Sequence, residues 1–181
     1  MLKYFLIFFF FISICYSNAE TKNNIIQNLK NTYNLDFKFE QNINGKIESG
    51  NWTVEYPKKI YCNYHKNNKV LVSNGKSLVI KTISSYYRYP IEKTPLNFIL
   101  DKNFLIDKIN GLEERIIDDL YISYSIIENE NKTEVFFDVI SLELIGWQTK
   151  DIYQNTSLTM LSSISKNKKI KKKLFRLPIQ N

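Results

Sequence analysis

The side chains that could carry acid–base, nucleophilic or metal chemistry are few and scattered in this chain. His65 is the only histidine and lies in a polar stretch beside Lys66. A Ser-His-Asp triad or a histidine-based metal site needs partner residues in patterns that this sequence does not show. The acidic pairs Glu113-Glu114 and Asp118-Asp119 are adjacent residues, which point in different directions on a strand or helix. We therefore expect a non-enzymatic protein with no cofactor and no metal.

Two further features have reactive or charged side chains. Cys62 is expected to be a small buried hydrophobic residue on a strand. The stretch 166–173 is rich in lysine, and its default interpretation is a solvated loop. The alternative is a docking patch for an acidic partner or an anionic membrane. That patch would consist of Lys168, Lys169, Lys171, Lys172 and Lys173.

The first 19 residues have the pattern of a secretory signal peptide. Lys3 supplies a positive start, Tyr4–Ile14 is almost entirely apolar, and small residues precede a cleavage site after Ala19. The apolar run is shorter than the ~20 residues that cross a bilayer. A lipoprotein signal at Cys15 is disfavoured by the bulky Ile14 before it. We expect an exported chain with residues 20–181 forming one domain, which argues against nucleic acid as its target.

The predicted mature chain alternates apolar and polar residues over most of its length. A period of about 3.6 predicts a first helix over Thr21–Tyr33, with Ile25, Ile26, Leu29 and Tyr33 on one stripe. Period-two alternation then predicts consecutive antiparallel strands, with Gly45 and Gly50 at the bend between the first two. Later strands are predicted at Leu120–Ile127, Val135–Ile140, Glu143–Gln148, Ser157–Ile164 and Leu174–Ile179.

The middle of the chain combines a hairpin with short helices. Asn74-Gly75 interrupts an alternating run over residues 70–80, which predicts a tight hairpin with a primed turn. An aromatic run over Tyr86–Tyr89 follows. Thr94 then predicts an N-cap, with Pro95 opening an apolar helix that ends at Leu100. A second helical turn is predicted over Phe104–Ile109.

These elements predict a mainly β protein with some α-helix, in which helices cover a strongly curved antiparallel sheet. A closed barrel would fill its interior with its own side chains, whereas an incomplete barrel roofed by helices would leave an apolar space. Periodicity alone does not separate these two outcomes.

Several short motifs, in order and spacing, resemble those of one family. They are Phe37–Gln41, Gly50–Val54, Tyr56–Ile60, the hairpin followed by Thr94-Pro95-Leu96, and Leu144–Gln148 with Asp151, Asn167 and Leu174–Pro178. The chain thereby resembles the periplasmic outer-membrane lipoprotein carriers (LolA-like proteins) from Ile25 to about Ile179. The resemblance implies an unclosed antiparallel β-barrel with an α-helical lid.

Two positions depart from the family pattern. Tyr56 stands where the family commonly has an arginine, which is thought to tie the barrel to the lid through backbone carbonyls. Arginine offers five hydrogen-bond donors and tyrosine one, so a tyrosine lock would be looser. Ile60 stands where an aromatic residue is usual, but it is still apolar and can line a cavity.

The resemblance also implies a function, partners and a site. A family member shields lipoprotein acyl chains in a hydrophobic cavity and carries them from the inner to the outer membrane. It receives them from an inner-membrane ABC-type lipoprotein-releasing complex and passes them to an outer-membrane acceptor. A monomer that only transiently approaches membranes is expected. The wall candidates are Phe39, Trp52, Val54, Tyr56 and Ile60, the lid candidates are Leu96, Ile99 and Leu100, and Tyr89 is expected between them.

Other functions remain open from the sequence alone. The wall candidates could simply form a filled core. The protein could carry another lipid or glycolipid, or it could be an exported scaffold or adhesion protein that uses the lysine-rich stretch. An exported enzyme is a further alternative.

Overall fold

A computed structural model describes residues 13–66, 68–128, 131–150 and 155–180, without the side chains of residues 13–18 and 131. Most of the predicted signal peptide, and Asp151 of the family motif, lie outside these residues. The described chain begins with helix α1, Ser13–Lys30. Within the described residues, the helices are too short or too polar to span a bilayer.

In the described residues, eleven strands and two further helices follow α1. Six strands precede the helices and five come after them. The first six are β1 (Asn34–Ile43), β2 (Lys46–Glu55), β3 (Lys59–Tyr64), β4 (Val70–Asn74), β5 (Ser77–Lys81) and β6 (Tyr86–Pro90). Then come a 3₁₀ turn (Ile91–Lys93), α2 (Leu96–Ile99) and α3 (Lys102–Asn110). The last five strands are β7 (Arg115–Ile117), β8 (Tyr121–Glu128), β9 (Asn131–Asp138), β10 (Leu144–Lys150) and β11 (Thr156–Lys166).

All the strands belong to one antiparallel sheet, in the order β6-β5-β4-β3-β2-β1-β11-β10-β9-β8-β7. The chain forms two meanders, which are joined where β1 pairs with β11. In the described part of the chain, β6 and β7 are edge strands and do not pair with each other. The prediction of an unclosed antiparallel barrel with short helices is therefore confirmed.

Alternation along the strands gives the sheet an apolar inner face. In β1, Leu35, Phe37 and Phe39 are buried and the residues between them are exposed. Phe37 is opposite Trp52 on β2, and Trp52 is opposite Cys62 on β3. Because residues opposite each other share a face, the register carries one apolar row across several strands.

The helices pack on this inner face. Ile25, Ile26 and Leu29 of α1 belong to the same buried cluster as the inner-face strand residues, as the helical periodicity predicts. The prediction that Tyr33 is the fourth member of this stripe is wrong, because α1 ends at Lys30 and Tyr33 is 66% exposed.

Two local predictions in the middle of the chain need correction. Thr94 does not cap α2, because Pro95 holds the N-cap position and the Thr94 hydroxyl donates instead to the Ile91 carbonyl. The hairpin is present, but its two central residues are Gly75 and Lys76 rather than Asn74 and Gly75. Gly75 has φ +93°, whereas Asn74 accepts hydrogen bonds from the Lys76 and Ser77 backbones. A positive φ at the first central residue is typical of a type II′ turn.

The predicted last strand, Leu174–Ile179, is also wrong. Residues 167–180, here called the C-terminal strap, form turns and irregular backbone outside the sheet. The strap runs along the outer face, where it lies beside Asp36, Thr53 and Tyr61, three residues that face each other on β1, β2 and β3. The short edge strand β7 is absent from the sequence predictions, because three residues are too few to show a period.

Gly50 lies inside β2 rather than at the predicted bend, and it permits a close approach of neighbouring strands. A Cβ there would lie 2.8 Å from Cε1 of Phe39 and 2.9 Å from Cα of Tyr64, and would also overlap the Asn63 carbonyl oxygen. The absence of a side chain thus lets the Phe39 ring pack directly on the sheet.

We expect Gly50→Ala to lower the free energy of unfolding by about 1–3 kcal/mol, because the added methyl group overpacks the sheet. Urea denaturation followed by circular dichroism measures this change. Gly111→Ala is the matched control, since a Cβ at Gly111 has only the Lys108 carbonyl oxygen nearby, at 3.8 Å. Equal stability of the two variants would contradict the overpacking.

Candidate functional site

Four of the five wall candidates lie together on the inner face of the sheet. Phe39, Trp52, Val54 and Ile60 are all at most 3% exposed. The Trp52 ring is at the centre of this group, with centroid distances of 5.1 Å to Phe39 and 5.5 Å to Trp147. Trp147 comes from β10, in the second meander. The two halves of the sheet therefore meet through these two indole rings.

The lid candidates cover the same surface from the opposite side. Ile99 and Leu100 are at most 2% exposed, and half-buried Leu96 packs against them. Leu105 and Ile109 of α3 are fully buried in the same cluster. Sequence reasoning did not select these two, although their i, i+4 spacing is a signal for a buried helix stripe.

Tyr89 is in a different environment from the other candidates. By register it shares the inner face with Leu78, but it belongs to the edge strand β6 and is 43% exposed. Its ring stacks on Tyr87 at 6.4 Å. Tyr89 is thus at the rim of the sheet and does not lie between wall and lid as predicted.

The inner face is closely packed in this conformation. The cavity between α1 and the sheet has a volume of about 20 Å³, which is room for about one water molecule. It lies near the ends of β1 and β10, and its lining includes Leu29, Leu35, Tyr56 and Leu144. The wall and lid candidates belong to one buried cluster, and a fatty chain would have to displace the helices to reach the wall.

Tyr56 lies at this end of the sheet. Burial raises the pKa of its hydroxyl above the usual range, so that the group is neutral. Its backbone N–H donates to the Tyr33 carbonyl at 3.0 Å. Among the described residues, the Tyr56 hydroxyl makes no hydrogen bond to the lid candidates. The Tyr56 side chain therefore does not make the tie to the lid that the resemblance implies for this position.

The neighbouring turn supplies another connection to the helices. The Lys58 backbone N–H donates to the Leu100 carbonyl at 2.8 Å, and the Lys58 ammonium lies 3.2 Å from Oδ2 of Asp101. The other carboxylate oxygen, Oδ1, accepts from the Phe104 N–H and caps α3. Ser73 donates to the Lys58 carbonyl and so braces the turn from β4. The sequence offers no signal for this contact because it joins distant segments.

Residues 91–110, here called the lid segment, have further polar connections to the rest of the fold. The Lys102 ammonium donates to the carbonyls of Lys30 and Thr32, at 3.0 Å and 2.9 Å, just after the end of α1. A cation near a helix C-terminus is favoured by the helix dipole. Near the other end of α3, Lys108 pairs with Glu128 of β8 at 2.7 Å. A few partly exposed polar contacts thus join the lid segment to the rest of the fold.

The residues with reactive side chains lie apart from each other. Cys62 is fully buried, and burial raises the pKa of its thiol, which disfavours the nucleophilic thiolate. His65 is exposed and lies within hydrogen-bonding distance of Ser49 and Asn51. Over the described ranges, no group of three histidine, cysteine or acidic side chains is arranged to hold a metal ion.

Comparison with known proteins gives one family match. Residues 30–178 match the family described as outer membrane lipoprotein carrier protein LolA. No curated protein matches this chain.

The fold is also similar to solved structures. A LolA superfamily protein from Nitrosomonas europaea is 8% identical, with 88% of this chain and 97% of that chain covered and a TM-score of 0.47. The lipoprotein LppX from Mycobacterium tuberculosis is 12% identical, with coverage of 85% and 100% and a TM-score of 0.46. A DUF1329 family protein from Desulfovibrio piger is 7% identical, with coverage of 88% and 97% and a TM-score of 0.45.

The family match covers most of the chain, and the resemblance that the motifs predict is confirmed. This protein belongs to the outer membrane lipoprotein carrier protein LolA family.

Proposed function

We propose that this protein is a non-enzymatic carrier that shelters the acyl chains of lipoproteins between its sheet and its lid segment. The observation that carries the proposal is the apolar inner face, on which Phe39, Trp52, Val54 and Ile60 are covered by helices rather than by the sheet itself. A barrel that closed on itself would have no removable cover. Here α1 and residues 91–110 form the cover, and residues 91–110 are its removable part.

The topology makes this cover separable. The lid segment links β6 to β7, which are at opposite ends of the sheet order. It therefore passes over the inner face without forming part of the strand ladder. Its movement breaks the contacts of Lys58, Lys102 and Lys108 and exposes apolar side chains, but it breaks no strand pairing.

Burial of the lid side chains and burial of an acyl chain contribute similar free energies. Ile99, Leu100, Leu105 and Ile109 are buried by the closed lid, and at about 1.5–3 kcal/mol each they contribute about 6–12 kcal/mol. A dozen acyl methylenes that take their place contribute roughly 10 kcal/mol at ~0.8 kcal/mol each. An acyl chain can therefore replace the lid side chains at little net free-energy cost, and its release also costs little free energy.

The route proposed for the cargo follows from family membership. Residues 1–19 act as an export signal and residues 20–181 form the working domain in the periplasm. The protein takes acylated lipoproteins from an inner-membrane ABC-type releasing complex and delivers them to an outer-membrane acceptor as a monomer. This role needs no cofactor, and it needs neither Cys62 nor His65 as a catalyst.

Bromine-labelled fatty acid reports directly on entry to the proposed site. Trp52 and Trp147 are the two tryptophans of the chain, and both are buried on the inner face. Because bromine quenches indole fluorescence only at short range, we expect saturable quenching by dibromostearate that unlabelled palmitate reverses. Titration of tryptophan emission measures it.

The control is stearate without bromine, which binds the same site but does not quench. Trp147→Phe leaves Trp52 as a single reporter and should retain the quenching. Unquenched emission together with measurable fatty-acid binding would place the lipid elsewhere and overturn the proposed site.

The Lys58–Asp101 pair gives a test of lid movement. Asp101→Asn removes the charge, while the amide oxygen can still cap α3. We expect a loss of less than about 1 kcal/mol in unfolding free energy. Dibromostearate quenching should become faster by at most about fivefold, since 1.4 kcal/mol corresponds to tenfold. Stopped-flow fluorescence measures the rate.

Glu143→Gln is the matched control for this test. Glu143 pairs with Lys166 at 2.5 Å, its exposure is similar, and neither residue belongs to the lid segment. An equal acceleration in both variants would show that the Lys58–Asp101 pair does not hold the lid.

A second candidate function is an exported scaffold with a filled core. The small volume of the cavity favours it, because the packed interior needs no cargo to be stable. It predicts no tryptophan quenching under any condition. A carrier of another lipid would show quenching, and mass spectrometry of lipids that co-purify with the protein would distinguish it from a lipoprotein carrier.

The lipoprotein cargo has its own test. The carrier is expected to keep a triacylated lipoprotein in solution after detergent dilution but not to retain the same polypeptide without acyl groups. Size-exclusion chromatography of the mixture shows the complex. Equal retention of both forms would show that the polypeptide, and not its acyl chains, is recognised.

A further inference from the structure

The C-terminal strap, residues 167–180, carries the strongest local charge on the molecule. Lys168, Lys169, Lys171, Lys172 and Lys173 are all exposed. Within the described ranges, none of these five ammonium groups has a carboxylate within salt-bridge distance, whereas eight other pairs do form. Among the described residues, therefore, no carboxylate pairs with these lysines.

The two carboxylates next to the strap are already engaged. Asp36 accepts a hydrogen bond from the Thr53 hydroxyl at 3.3 Å. Glu55 pairs with Lys59. Both carboxylates line the grooves beside the strap, with volumes of about 260 Å³ and 610 Å³, and lysines of the strap line the same grooves. The grooves are thus open and predominantly positive.

The strap is attached to the sheet by groups other than its lysine side chains. Asn34 binds the Lys168 backbone through its side chain, at 2.9 Å and 3.0 Å. The Phe175 ring lies under the Lys59 ammonium at 6.0 Å. At the far end, Lys81 donates to the Ile179 carbonyl and Tyr86 to the Pro178 carbonyl. The lysine side chains of the strap therefore remain available to a partner.

We propose that the strap binds the surface of a membrane that contains anionic phospholipid. Clustered lysines are attracted to anionic headgroups as point charges and need no fixed geometry. Recognition of a carboxylate on a protein would favour arginine, whose planar donors bind in pairs. The strap also presents Ile179, which is 80% exposed. A strap that presents both clustered lysines and an exposed apolar side chain suits a bilayer interface better than an acidic protein surface.

The position of the strap makes this contact independent of cargo. The strap lies on the outer face of the sheet, and the lid segment covers the inner face. Membrane contact therefore leaves the lid segment free to move. The proposal stands on the charge of the strap and does not depend on the proposed function.

The test is co-sedimentation of the full chain with two kinds of vesicle. One kind is phosphatidylcholine alone, and the other contains roughly 30% phosphatidylglycerol as the anionic lipid. We expect tighter binding to the anionic vesicles, which weakens as salt shortens the Debye length. Lys171→Gln, Lys172→Gln and Lys173→Gln together should weaken it about 100-fold, at about fivefold per lysine. All variants contain the same apolar N-terminal segment, so its contribution to vesicle binding cancels when the variants are compared.

The matched control replaces Lys66, Lys76 and Lys93 with glutamine. These lysines are exposed and lie outside the strap, and the variant has the same net charge as the strap variant. Its binding should change by less than about threefold. Equal weakening of the two triple variants would show that net charge alone acts, and equal binding to both kinds of vesicle would show that the strap does not recognise anionic lipid. Either result overturns the proposal.

Discussion

The structure depends on one constraint: the sheet does not close, so its apolar inner face must be covered by something other than strands. Eleven strands curve around the core but end in two edges, β6 and β7. The hydrophobic effect requires that the residues on this face leave water, and α1 and the lid segment provide the surface that buries them. The same constraint makes the cover replaceable, because another apolar surface can satisfy it equally well.

Polar contacts then set how firmly the cover is held. Lys58, Lys102 and Lys108 connect the lid segment to the turn after β2, to the end of α1 and to β8. Each contact is partly exposed and therefore contributes little to stability. Together the contacts fix the orientation of the lid segment. One of these connections lies at Lys58, two residues beyond Tyr56. It joins the turn to the lid segment through the backbone N–H and the ammonium group of Lys58.

The two faces of the sheet have separate chemistry. The inner face is almost entirely apolar and buried, whereas the outer face carries charged residues, the lysine-rich strap and one apolar groove beside Phe136 and Met160. Alternation along each strand produces this division, since neighbouring residues point to opposite sides. A carrier of apolar cargo benefits from it, because charges that meet a membrane or partner do not disturb the apolar site.

The sequence-based predictions agree with the structure where a feature depends on residues close together in the chain. Strand alternation, the stripe on α1 and the Asn-Gly hairpin are local patterns, and the structure reproduces them with shifts of one or two residues. The wall candidates Phe39, Trp52, Val54 and Ile60 share a face because their parity along the strands is a local property. Tyr89 has the same parity, but its position at an edge strand leaves it exposed, and edge position is a property of the whole sheet.

The sequence by itself determined the class of fold, the family and the apolar character of the inner face, because each of these depends on the spacing of residues close together in the chain. Tertiary structure alone decided the pairing of β1 with β11, the meeting of Trp52 with Trp147 and the contact between Lys58 and Asp101. It also placed residues 174–179 on the outer face instead of in the sheet. These features join segments that are far apart in sequence, and only the competition among all strands for partners selects between them.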